Sequence, residues 1–106
     1  MPKYLLHASY TSQGVKGLLK DGGSKRKAAA EAAARSVGAT VEAMYFAFGD
    51  TDAFVIVDAP DDVSVAALSL TVGASGSVAT RTTTLLTAEQ VDQAAKKSVG
   101  YKPPGS

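Results

Sequence analysis

Residues 40–58 read TVEAMYFAFGDTDAFVIVD, two apolar runs around a Gly-Asp-Thr-Asp turn. Thr40–Phe48 and Ala53–Asp58 are rich in β-branched and aromatic residues, and Gly49–Asp52 supplies the turn chemistry, so the stretch predicts a β-hairpin. Successive side chains of a strand point to opposite faces. In the first strand Val41, Ala43, Tyr45 and Ala47 face one way, and Met44, Phe46 and Phe48 the other; in the second, Ala53, Val55 and Val57 oppose Phe54 and Ile56. Both faces of the hairpin are therefore apolar. An antiparallel sheet with helices on one side only should be polar on the other, so the second face calls for a partner. A charge at Ala53 or Val55 is expected to break either that pairing or the fold.

Upstream, Lys3–Tyr10 predicts a strand and Thr11 or Ser12 an N-cap, followed by Val15, Leu18 and Leu19 on one helical stripe. Gly22-Gly23 interrupts the helix, Ser24 is placed to cap its restart, and the Ala-rich run Lys25–Val37 continues to Gly38. Small side chains there let the helix lie close to a sheet. Downstream, Pro60-Asp61-Asp62 opens a second main helix over Val63–Ala74, and Val78–Leu86 is a Thr-rich strand. Thr87 to Gln90 is a capping box for a short last helix through Lys97, before an extended tail. The order βαββαβ predicts an α+β, ferredoxin-like fold: a four-stranded antiparallel sheet, two main helices on one face and a short C-terminal helix. Residues 1–100 form one domain and 101–106 the tail. Val63, Val65, Leu68, Leu70 and Val72 leave the second main helix little polar face, which suggests contacts beyond a dimer. Alternatively, the last helix and tail fold back over the open face.

With 106 residues there is room for one core, and an Ala- and Gly-rich chain with seven aromatics and no Trp gains from self-association. A net charge of +1 gives no general attraction to nucleic acid or anionic membrane. The chain has no cysteine, which removes disulfides, thiolate nucleophiles and cysteine metal sites. The Met1–Tyr10 start lacks the apolar run of a signal peptide, so a cytoplasmic protein is expected.

Few residues offer chemistry. His7, the one histidine, could serve as a base or a haem ligand, with Tyr10 and Tyr45 directed into the same cavity between sheet and helix. Arg81, among the threonines of the last strand, could hold a carboxylate or simply discourage edge pairing. Lys25 and Arg26, behind two glycines at a helix start, suggest an anion site but match no P-loop. One histidine and scattered turn aspartates give no metal set. No cofactor is expected, and no catalytic set is complete.

Several stretches together resemble the GYD-domain family of small bacterial proteins: Tyr4-Leu5-Leu6 with Ser9-Tyr10-Thr11, Gly14 to Leu18, Gly22 to Arg26, Tyr45 to Gly49, Asp58 to Asp61, Leu85-Leu86-Thr87 and Tyr101 to Gly105. Thr51 stands where the family usually has Tyr, so the name-giving Gly-Tyr-Asp turn is altered. The resemblance implies a dimeric α/β barrel in which two sheets pack face to face. It implies little chemistry, because relatives in fold include cofactor-independent monooxygenases, isomerases, haem-binding enzymes and non-enzymatic proteins. The expectation is a homo-oligomer that takes a small anionic or aromatic ligand in a sheet–helix cavity. Its rivals are a cofactor-independent monooxygenase or isomerase and a haem protein using His7.

Overall fold

The computed structural model describes residues 1–106. Its elements are β1 (Lys3–Tyr10), α1 (Ser12–Asp21), α2 (Gly23–Ser36), β2 (Thr40–Phe46), β3 (Ala53–Asp58), α3 (Asp62–Ala74), β4 (Val78–Leu85) and α4 (Ala88–Ala95). The sheet runs β2-β3-β1-β4 and every neighbouring pair is antiparallel. Each crossover skips one strand, as a ferredoxin-like βαββαβ chain requires. No helix is long and apolar enough to cross a membrane.

Local signals explain most boundaries. The Thr11 side chain accepts from the Gly14 amide at 3.3 Å and Asp61 from the Ser64 amide at 2.8 Å. Thr87 and Gln90 form the reciprocal capping box that opens α4. The Asp61 carboxyl is held below its usual range, first by the Ser64 amide, as expected for a capping carboxylate at the positive end of a helix. Gly22 separates α1 from α2 at φ +82°, a conformation that favours glycine. The second helix starts at Gly23, without the Ser24 cap that the sequence suggests. Gly23 fits there because the Phe46 ring lies close: a Cβ would sit 3.3 Å from it.

The hairpin differs from its sequence reading in two respects. A register shift between Val41 and Ala43 bulges Glu42 out of the ladder. Val41, Met44 and Phe46 consequently share the helix-covered face, and Ala43 and Tyr45 the other. The strand also stops at Phe46 rather than Phe48. The Ala47 amide bonds the Asp52 carbonyl and the Asp52 amide bonds the Ala8 carbonyl, both at 2.8 Å, so the turn bends toward β1 and leaves Phe48 in water.

The core lies between one sheet face and the helices, built by Tyr4, Leu6, Val55 and Val57 against Ala34, Val65 and Leu68. Ala53 and Val55 are buried here, so they are not on the face available to a partner; Phe54 and Ile56 are. The Tyr4 hydroxyl donates to Asp62 and ties β1 to the start of α3. That bond, with burial second, pushes the Tyr4 phenol up to about 12. From Leu86 to Ser106 every residue is exposed, so α4 and the tail do not fold back over the sheet. The radius of gyration is 16.8 Å, against about 13 Å for a compact chain of this length.

Two outcomes test this packing. A Cβ on Gly14 would lie 2.1 Å from the Ser77 carbonyl oxygen, where α1 docks on the turn before β4. Gly14→Ala is therefore expected to cost about 2 kcal/mol in denaturant unfolding, and an unchanged midpoint would refute that contact. Tyr4 has a folded pKa above its unfolded value of 10.0, so its contribution is complete below pH 10 and is lost as pH rises toward about 12. An ultraviolet titration of the four tyrosines should show one late-titrating phenol that disappears in Tyr4→Phe.

Candidate functional site

The helix-covered face contains a cavity because its helices are poorly matched in size to the space they span. Helix α2 packs on β2 and α3 on β4, while their own mutual contact is slight. Alanines face inward from α2 at Ala30, Ala33 and Ala34, with the exposed Ala29 at the rim, too short to fill the gap left under them. The result is a cavity of about 110 Å³ lined by 16 residues, 14 of them hydrophobic. Arg26 is its one charged wall residue and Thr80 supplies a hydroxyl; Tyr10 lines it from the end of β1. Tyr10, Arg26, Val72 and Val78 also border a more polar depression with Gln13, Asp21, Ser75 and Ser77. An apolar interior thus adjoins a polar mouth, with a guanidinium shared between them.

The opposite face of the sheet has no helix on it. Strand register arranges its side chains in rows across the strands. Thr40, Asp58, Lys3 and Leu85 form the first row, with the bulged Glu42 reaching Lys3 beside it; Ala43, Ile56, Leu5 and Thr83 form the second, and Tyr45, Phe54, His7 and Arg81 the third. Lys3 closes one end, 2.8 Å from Asp58 and 3.2 Å from Glu42. Its ammonium is raised above the usual range by hydrogen bonds to Asp58 and then Glu42. At the other end the Ser9 hydroxyl donates to the Asp50 carbonyl at 2.8 Å. Between these polar borders, His7 meets the Phe54 ring edge-on at 5.3 Å between centroids. His7 Nε2 is 3.5 Å from the Thr83 hydroxyl, and its Nδ1 is buried without a hydrogen-bond partner.

The sequence candidates therefore fall into two groups. Tyr10 and Arg26 line the cavity; His7, Tyr45 and Arg81 lie in one row of the open face. Lys25 is exposed in the first turn of α2 and joins neither. His7, Tyr10 and Tyr45 do not share a cavity as expected: His7 and Tyr10 are three residues apart in one strand and point to opposite sides. No three His, Asp or Glu side chains gather into a metal-ligating group. A sheet–helix cavity is expected from the sequence, but its alanine wall is not, because alanine spacing specifies a close-lying helix and not the gap beside it.

The family model described as GYD domain matches residues 4–95. No curated protein and no solved structure matches the chain.

Proposed function

We propose that this chain, which belongs to the GYD domain family, binds a small organic acid with at most one ring in its sheet–helix cavity. It does so as a homodimer paired through the open sheet faces. The observation that carries the ligand reading is the cavity wall: apolar throughout except for Arg26 and Thr80. An anion buried without a partner is costly, whereas a guanidinium can bind a carboxylate through two parallel hydrogen bonds. The ring or branched body would lie against the alanines of α2, and the carboxylate would face Arg26 at the mouth. Size limits the guest: an apolar cavity of roughly 150 Å³ accepts benzene, and this one, at about 110 Å³, would take one ring only in part, with the rest of the guest in the adjoining polar mouth.

Pairing of the sheets is supported by the open face. Leu5, Phe54 and Ile56 occupy its middle and charged or hydroxyl groups its ends, the arrangement of apolar centre and polar rim found in protein interfaces. Pairing would also enclose His7, whose buried Nδ1 has no partner within the chain.

Benzoate is a direct probe of the cavity. Calorimetric titration should detect binding that weakens about tenfold or more in Arg26→Gln, and Ala30→Leu should abolish it by filling the space. Undetectable benzoate binding, or binding indifferent to both changes, would reject the reading. For the pairing, light scattering across dilution should give twice the chain mass for the native protein and the single mass for Phe54→Lys. A native monomer at micromolar concentration would rule out the sheet-face dimer.

A further inference from the structure

The last fifth of the chain has apolar side chains and nothing beneath them. Leu86, Val91, Val99 and Tyr101 are 61, 51, 78 and 71% exposed. Helix α4 has eight residues and none of them is buried, whereas isolated helices shorter than roughly 12 residues are marginal in water. The capping box satisfies its first turn but gives its apolar side no cover. Such a segment needs a surface, and its own domain does not supply one.

A matching surface lies at the opposite corner of the domain. Val15 and Leu19 of α1, Phe46 at the end of β2 and Phe48 beyond it wall a groove of about 400 Å³. Leu19 is 81% and Phe48 106% exposed. We infer that residues 86–106 form an arm that clasps a second copy of this chain, seating Tyr101-Lys102-Pro103-Pro104 in that copy's α1/β2 groove. The inference rests on the paired-sheet reading.

Position, chemistry and area favour the second copy. The arm leaves β4 at the end of the sheet that holds Lys3 and Asp58, while the groove sits at the other end beside the far edge strand β2. Within one chain those corners are separated by about 25 Å along the strands and about 14 Å across them. A two-fold pair with opposed strand directions brings the root of each arm to the same end as the partner's groove. Two consecutive prolines favour an extended left-handed helix, and aromatic-lined grooves bind such segments. Tyr10, Phe46 and Phe48 provide aromatic walls. Lys96, Lys97 and Lys102 make the arm basic beyond α4, and Asp52 is the one charged residue lining the groove. The open face offers a footprint on the order of 500 Å², below the roughly 800 Å² per partner of a standard interface. Two exchanged arms would add the missing area.

Because the chain has no cysteine, the exchange can be read by cross-linking. The exposed positions Phe48 and Tyr101 are changed together, Phe48→Cys and Tyr101→Cys, and the full chain is oxidised at low concentration. A covalent dimer on a non-reducing gel is the expected result. A disulfide closed within one chain, or none in a protein that scatters as a dimer, would overturn the arm exchange and leave sheet pairing standing. A native chain that scatters as a monomer would instead remove the pairing and the exchange together. As a second readout, Tyr101→Asp should raise the concentration at which the dimer dissociates about tenfold. An unchanged dissociation midpoint would refute the seating of Tyr101.

Discussion

The structure depends on a central pair of strands, β1 and β3, that are apolar on both sides while helices cover only one. Tyr4, Leu6, Val55 and Val57 face the helices and are buried; Leu5, Phe54 and Ile56 face outward and are half-buried by their neighbours alone. In an isolated antiparallel sheet the outward row would be polar. Apart from His7, which packs edge-on against Phe54, the polar groups of these two strands stand at the ends of that row, where Lys3 bridges Asp58 and Glu42 and Ser9 reaches the hairpin. Their placement holds strand register without interrupting the apolar middle.

The second constraint is the alanine content of α2. Alanine favours the helix and lets its backbone approach β2, and Ala34 is completely buried in the core. The same short side chains cannot reach α3. Bulky residues at Ala29, Ala30 and Ala33 would have closed the cavity and increased burial, and Arg26 would then serve only as a surface charge. A small domain has little stability to spare, so space left beside a guanidinium is difficult to attribute to packing alone. The site and the weak core thus have one cause.

What could be read from the sequence follows the range of the forces involved. Caps at Thr11, Asp61 and Thr87, the Gly22 break and the βαββαβ order rest on interactions within a few residues, and all are present. The assignment of faces in β2 failed at Glu42, because a bulge is fixed by pairing with β3 and not by the alternation of β2 itself. Phe48 reads as strand in the sequence for a similar reason: the Asp52 amide turns to Ala8, a partner 44 positions away in sequence. For the site, residue types were legible but their grouping was not. Arg26 and Lys25 stand together in the sequence as one anion site, yet the first turns into the cavity wall and the second into water.

These constraints connect the open sheet face to the helix-covered cavity through β1. Side chains of this strand alternate between the cavity at Leu6, Ala8 and Tyr10 and the open face at Leu5, His7 and Ser9. Tyr10 sits at the mouth of the cavity and also lines the α1/β2 groove, and its amide is held by the Asp52 carboxylate at 2.8 Å. A segment seated in the groove would therefore press on a residue that borders the cavity. Because a packed strand is stiff, occupation of one surface can be felt at the other without a separate hinge. In that arrangement a paired dimer would contribute more than cover for an apolar face: it would set the position of the wall proposed to hold the acid.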